Sequence, residues 1–452
     1  MSVVALDIGT SRIKALLAHW DGQVEPVESA GTPTDVEAPG RLAFRADDVC
    51  DLSASLVSRL ADAHPDDPVD TLVFSCLGTA MVPLDRDGQP LGPALSPEDV
   101  RPASRLDLLD ELGLDGDRIF ELTGQDSRVP SFLLHWLWWR GNHPAVMARL
   151  ARFRSLRGFI AHELCGVDAE DPSWASRTML MDLESDAWST TILERAHLPA
   201  AVLPAIRPST SMWPVGRAAG ERFGLAREAR VVLGGMDNCC SFLGASDPGE
   251  ERLVNIAGTY EHMAGVGPLE AVQGAAQATD GLIHRYLLPG RFLSYSRVPL
   301  GHLLWQVAAA AQQELDRLLD AVTAEPIGEP IGLDADAVRD ALEDGRPPAS
   351  VAQRLFESVT AISRRYVEAW EGDGPPTPRI AAVGGGARPN LLQLKANLMG
   401  RSISTLSSDE GAALGALRLA TMAVRGLSVE EACGLFPNPV RHDFDPHPAG
   451  RT

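Results

Sequence analysis

The sequence predicts an α/β protein of two domains, with mixed sheets flanked by helices, on three observations. At 452 residues the chain is too long for one compact core and long enough for two α/β domains of roughly 200 residues each. Short continuous apolar runs alternate with stretches of helical periodicity, the pattern of strands covered on both faces by helices. A third sign is a repeated device: an apolar strand, a Gly-Thr turn and a returning strand occur near the start of each half.

Taken in order, Val3 to Leu6 form the first buried strand, Gly9 marks a turn, and Ile13 to Ala18 return as the second strand. Asp21-Gly22 is a second turn, which predicts a third strand at Val24 to Val27. Val49 to His64 has helical spacing, Thr71 to Cys76 is the next strand, and Leu106 to Leu112 begins another helix. Phe132 to Trp139 is apolar nearly all round and is expected to be a core helix. Pro-rich stretches at Leu203 to Pro214, Glu325 to Pro330 and Gly374 to Pro378 are surface connections. The second domain is expected to begin at residue 246, leaving 1–245 and 246–452 as the two halves, and its opening device is Arg252 to Val266.

Composition narrows the function classes. With 45% hydrophobic and 22% charged residues a folded core is expected. A formal charge of -21 and a pI near 4.9 disfavour nucleic acid and anionic membranes as partners and favour small molecules. No signal-peptide pattern and no run of about 18 apolar residues occurs, so a cytoplasmic location is expected. The six cysteines lack CxxC spacing and are too sparse for a disulfide scaffold; they are expected to be buried thiols, Cys239-Cys240 included.

The chemistry concentrates in four segments. In Asp7-Ile8-Gly9-Thr10-Ser11-Arg12-Ile13-Lys14, a Gly turn aims backbone N–H groups and the Thr10 and Ser11 hydroxyls at phosphate oxygens, while Asp7 is placed to hold Mg²⁺ through water. Lys14 and Lys395 are the only lysines, which marks Lys14 as a candidate phosphate contact. No Gly-x-x-x-x-Gly-Lys-Ser/Thr run occurs, which argues against a P-loop nucleotidase. In Val231 to Ala245 a strand ends in Gly234-Gly235, and Asp237 then begins a helix; a carboxylate there suits either a general base or a helix cap. Gly258-Thr259 forms the second turn, a candidate phosphate contact. In Arg379 to Gln393 a strand, the loop Gly384-Gly385-Gly386 and a helix from Pro389 would let a flat ring lie against backbone, with Asn390 and Gln393 at its edge. Ser407 to Ala416 is expected to be a capped, small-residue helix packed beneath that loop.

In that order the four segments resemble the sugar kinases of the FGGY family, within the actin-like ATPase superfamily, over most of the chain. The resemblance implies two actin-like (ribonuclease H-like) domains with a cleft between them that closes on substrate. It implies ATP and Mg²⁺ as cofactors, Asp7 to Lys14 and Gly258-Thr259 as phosphate motifs, Gly385, Gly386 and Asn390 as adenosine contacts, and Asp237 as catalytic base. Ala175 to Asp182 is similar to a segment of gluconate and xylulose kinases, and Gly258-Thr259-Tyr260-Glu261 to one of fuculose kinases. Departures bear on the sugar: Gly78-Thr79 stands where xylulose kinases carry Met-His, Ser96 to Arg101 replaces Trp-x-Asp-x-Arg, and His135 replaces the lysine of the first family signature. The second signature is not recognisable near residues 285–310, and Asn397 stands where Asp is common. By position Thr79, Asp99 and Arg101 are the implied sugar contacts beside Asp237. The implied reaction is γ-phosphoryl transfer to a hydroxyl of a small ketose, polyol or sugar acid. The alternatives are a non-catalytic sugar or nucleotide sensor on the same fold and an actin- or chaperone-like ATPase; monomer and homodimer both stay open.

Overall fold

The computed structural model describes residues 1–246, 253–258, 260–328, 330–374, 376, 377 and 379–447. Thr259 therefore lies outside the described residues. The chain divides into two compact units. The first comprises Met1–Gly244 with two returning segments, His284–Arg291 and Glu410–Pro437; the second comprises Ala245–Ile283, Phe292–Asp409 and Asn438–Thr452.

The first unit is built on a six-stranded mixed sheet in the order Met212–Pro214, Arg230–Met236, Val69–Cys76, Ser2–Ile8, Arg12–His19, Glu28–Gly31. Ser2–Ile8 pairs antiparallel with Arg12–His19 and parallel with Val69–Cys76, which in turn pairs parallel with Arg230–Met236. Val4, Leu6 and Ile8 pack against helices Ala46–Ala63 and Leu156–Cys165. The intervening Val3 and Ala5 are equally buried, and helix Gly411–Arg425 lies on the same strands, so the sheet is covered on both faces. Two-sided burial explains why these strands are continuously apolar rather than alternating.

The second unit repeats the scheme. Leu253–Ala257 pairs antiparallel with Glu261–Gly267 and parallel with Arg379–Val383, which pairs parallel with Ser402–Leu406. The long helix Pro348–Glu371 buries Tyr366 and Val367 against this sheet's Leu253, Met263 and Ile380, and Leu355, Phe356 and Val359 in a helical cluster with Leu303, Leu304 and Leu391. Phe132–Asn142 is indeed a core helix, buried from Phe132 through Trp139.

Two local expectations are corrected. The third strand is Glu28–Gly31, not Val24 to Val27: Pro26 has no N–H to give a ladder, and Val24 is 41% exposed, making only an isolated bridge to Ala18. Helix Gly411–Arg425 begins after Glu410 with no side-chain cap, and it packs on the first unit's sheet. Ser408 instead donates its N–H to Asn438 Oδ1 at 2.8 Å.

Candidate active site

The parallel strands of the first unit deliver their chemistry to one edge. Asp7 is the penultimate residue of Ser2–Ile8, Ser75 that of Val69–Cys76, which leads on to Gly78-Thr79, and Asp237 follows Arg230–Met236, all at the carboxyl ends of three adjacent strands. Gly234, at φ +75°, is where the parallel register shifts; a Cβ there would overlap the Phe74 carbonyl oxygen, so only glycine permits this bulge. Its outcome is to bring Asp237 out at the strand end as the first residue of helix Asp237–Ala245. Met236 N–H donates to Ser173 Oγ at 2.9 Å, and Trp174 Nε1–H donates to the Leu77 carbonyl at 2.9 Å. One short helix, Pro172–Ser176, thus pins the ends of two strands.

Asp7 Oδ1 accepts the Ser75 hydroxyl at 2.7 Å. Burial pushes the Asp7 carboxyl up to about 6, against the opposing pull of Ser75 and Lys14. Asp237 is pushed up to about 7, by burial first and by the negative charge of Asp7 second; the Asn238 N–H, 2.7 Å from Oδ1, and Arg177 oppose the rise. Both side chains keep an accessible edge. Two desolvated carboxylates that repel one another at a strand edge suit a divalent cation and a proton acceptor.

The first turn is tight: Gly9 N–H donates to the Arg12 carbonyl at 3.0 Å, and Thr32 Oγ1–H to the Gly9 carbonyl at 2.8 Å, leaving Thr10 and Ser11 at the tip. Lys14, on the second strand opposite Asp7, reaches Glu410 Oε2 at 2.6 Å.

Thr79 is a β-branched residue at φ +69°, a strained conformation, and it is fully buried. Its hydroxyl has no partner among the described residues, nor has Nε2 of buried His135. Burial pushes His135 down to about 4, so the imidazole is neutral near pH 7. Asp99 and Arg101 are engaged with each other and with the chain: Asp99 Oδ2 accepts Leu42 N–H at 2.8 Å and Arg101 Nη2–H at 2.7 Å, while Oδ1 accepts Arg101 N–H and Nε–H, each at 2.9 Å. The Arg101 guanidinium also meets Glu37 and lies 5.3 Å from the Trp138 ring centre.

In the second unit Gly258, Gly385 and Gly386 line a cavity of about 400 Å³, walled by Leu300, Leu319 and Phe356. Gly386 N–H donates to the Ala257 carbonyl at 3.1 Å, holding the glycine loop on the end of strand Leu253–Ala257. Arg388 lies along the wall, paired with Asp316 and Asp320. Asn390 does not line the cavity: its amide donates to the Leu319 and Val322 carbonyls at 2.9 and 2.8 Å. Gln393 likewise bonds Asn397 and the Asp445 carbonyl. Glu261 does reach the cavity, and is held from behind by buried Lys395 and by Asn255 Nδ2 at 2.8 Å. Sequence reasoning missed Glu261 and Trp305. Trp305 is 65% exposed on the cavity rim and falls off the buried stripe Leu300, Leu303, Leu304, Val307 of its helix; an aromatic out of register with its apolar stripe was the available signal.

Residues 2–244 match the N-terminal domain of the FGGY family of carbohydrate kinases, and residues 331–424 match the C-terminal domain of that family. The chain belongs to the FGGY family of carbohydrate kinases, with the two-domain actin-like fold. It is 24% identical to a xylulose kinase of Staphylococcus xylosus over 93% of this chain and 90% of the relative. It is 26% identical to a glycerol kinase of Shewanella sp. (strain MR-4), over 93% and 90% respectively. The crystal structure of gluconate kinase from Lactobacillus acidophilus superposes with a TM-score of 0.83 at 17% identity, covering 99% of this chain and 94% of that one. The protein is accordingly a carbohydrate kinase, a phosphotransferase.

Proposed function

We propose that the enzyme transfers the γ-phosphoryl group of ATP to a hydroxyl of a small ketose, polyol or sugar acid in the cytoplasm, with Asp237 as the base that orients the hydroxyl and accepts its proton. The observation that carries this is the pair Asp7 and Asp237 at the carboxyl ends of the two strands that flank Val69–Cys76, with Asp237 pushed up to about 7, near the pH at which a base is most effective. Phosphoryl transfer needs positioning and charge neutralisation more than covalent chemistry. Asp7 is assigned to hold Mg²⁺ through water; when bound, the cation neutralises developing charge on the phosphates. The N–H groups and hydroxyls of Gly9, Thr10 and Ser11, and those of Gly258 and Thr259, are assigned to phosphate oxygens, with Lys14 exchanging Glu410 for phosphate.

The cavity at Gly385 and Gly386 has the size and apolar lining for an adenosine, and Trp305 supplies a ring at its rim. Asn390 supports this reading as a strut of the cavity wall. On the sugar side, the unpartnered Thr79 hydroxyl and neutral His135 are the groups left for substrate hydroxyls. Asp99 and Arg101 hold the adjoining loop. The test is ADP release with ATP, Mg²⁺ and a panel of pentuloses, hexuloses, polyols and aldonates. One class should turn over, and Asp237→Asn should lower its kcat about 10²- to 10⁴-fold with nucleotide binding retained. Turnover by Asp237→Asn within about threefold of the parent would remove Asp237 from the role of base.

A further inference from the structure

At the opposite end of the first strand from Asp7, a second group of ligating side chains converges. Strand Arg12–His19 pairs Lys14 with Asp7 but His19 with Ser2, which puts His19 about 17 Å along the sheet from the Asp7 end. His19 Nε2 is 3.0 Å from Glu25 Oε1, and His64 Nε2 is 3.7 Å from Glu25 Oε2. The three ligand atoms lie within 4.8 Å of one another. Two imidazole nitrogens and a carboxylate thus face a common point, from a strand end, the following loop and the end of helix Ala46–Ala63.

The ring nitrogens turned away from that point are also spoken for. His64 Nδ1 donates to the Leu60 carbonyl at 2.9 Å, which fixes the proton on Nδ1 and leaves the Nε2 lone pair aimed at Glu25. His19 Nδ1 bonds the Asp67 carboxylate, which also meets the Met1 nitrogen. A carboxylate or carbonyl behind each ligating imidazole is the outer arrangement that orients metal-bound histidines. Gln23 Nε2–H donates to Glu25 Oε1 at 3.1 Å and steadies the carboxylate.

We propose that His19, Glu25 and His64 form a zinc-binding site, with Asp67 and the Leu60 carbonyl as its outer partners and a water as the fourth ligand. A tetrahedral Zn²⁺ with bonds of about 2.0–2.1 Å needs ligand-to-ligand edges of about 3.3 Å; His19 Nε2 is 3.0 Å from Glu25 Oε1, His64 Nε2 is 3.7 Å from Oε2 of the same carboxylate, and one donor atom from each residue lies within 4.8 Å of the others, a spread that side-chain adjustment closes onto one ion. The donors are half-buried, and an open depression lined by His19, Gln23 and Asp67 reaches the group on the His19 side, leaving it accessible from solution. Imidazole and carboxylate together select zinc-class ions over Mg²⁺, so this site is chemically distinct from the all-oxygen one at Asp7. A metal there ties residue 19 to residue 64 and clips the first hairpin to the first helix, a structural role away from the chemistry.

The test uses the full chain without a histidine tag, stripped by chelator, with excess Mg²⁺ present to fill oxygen sites. Titration with ZnCl₂ by calorimetry should show one equivalent bound and a raised melting temperature. His64→Gln should weaken that binding at least about tenfold, and Asp67→Asn about 10- to 100-fold, with carbohydrate kinase turnover unchanged in both. Co²⁺ in place of Zn²⁺ should give the intense visible absorption of a tetrahedral site, a readout on the parent protein that needs no variant to fold. No stoichiometric Zn²⁺ binding, affinity unaltered by His64→Gln, or only the weak absorption of octahedral Co²⁺ would each overturn the assignment.

Discussion

Asp237 holds its charge against its surroundings, and that conflict is measurable apart from catalysis. Its folded-state value of about 7 lies above the ordinary 3.8, so between those values the native state binds more proton than the unfolded chain, and stability from this group falls as pH rises from about 4 to 7. Asparagine carries no such penalty. Asp237→Asn should therefore melt above the parent at about pH 8, with the margin vanishing toward pH 4; equal margins at both ends would refute a penalty from burial and from the charge of Asp7. Lys395 offers the converse case, a buried ammonium set between Glu261 and Asn255 Oδ1, the latter at 2.7 Å. Lys395→Met should cost about 3–5 kcal/mol by leaving Glu261 uncompensated, and Lys395→Met with Glu261→Gln should recover part of the loss in denaturant melts. Legibility at this scale followed locality. Asp237 showed in the sequence because its strand, double glycine and helix are contiguous. Asn390 did not show its partners, since the Leu319 and Val322 carbonyls lie about 70 residues away in sequence. Thr79 betrayed no strain because φ is set by tertiary packing.

Among elements, the helix that opens with Asp237 is set by a close crossing. A Cβ on Gly244 would overlap the Gly411 carbonyl oxygen, and one on Gly415 would overlap the Cys240 carbonyl oxygen, so helices Asp237–Ala245 and Gly411–Arg425 approach backbone to backbone. Arg418, wholly buried in the second of these helices, donates to the Leu243 carbonyl at 2.5 Å and to the Phe436 carbonyl. The helix that carries the base is thereby fixed to a segment 175 residues later in the chain. Gly415→Ala forces the two apart. It should cost about 1–3 kcal/mol in stability, and should lower kcat more than it alters nucleotide affinity, because the cavity at Gly385 belongs to the other unit. A variant with normal kcat and reduced nucleotide affinity would contradict this. The small-residue character of Gly411 to Ala416 was readable in the sequence; its partner was not, because close packing fixes residue size and leaves the neighbour unspecified.

For the whole molecule, the sequence showed two halves, each opening on a strand-turn-strand device, and the two sheets repeat that hairpin with parallel strands beside it. The first family domain ends at residue 244, where the first segment of the first unit also ends. The division is nevertheless discontinuous in sequence: Glu410–Pro437 returns to the first unit, and helix Gly411–Arg425 covers strands Ser2–Ile8 and Val69–Cys76. That helix buries Ala413, Leu414, Ala416, Leu417, Leu419 and Ala420. It is far from its unit in sequence, so residue order alone could not assign it. A fragment ending at residue 245 lacks this cover, and it exposes one face of an apolar sheet worth about 25 cal/mol for each Å² returned to water. Residues 1–245 expressed alone should therefore be aggregated or bind a hydrophobic dye strongly. Co-expression with residues 410–437 should restore part of the protease resistance, through the backbone contact of Gly415 with Cys240 and the Leu243 carbonyl held by Arg418. A monomeric, dye-silent fragment 1–245 with a sharp melting transition would show that the returning helix is an accessory rather than a part of the first unit's core.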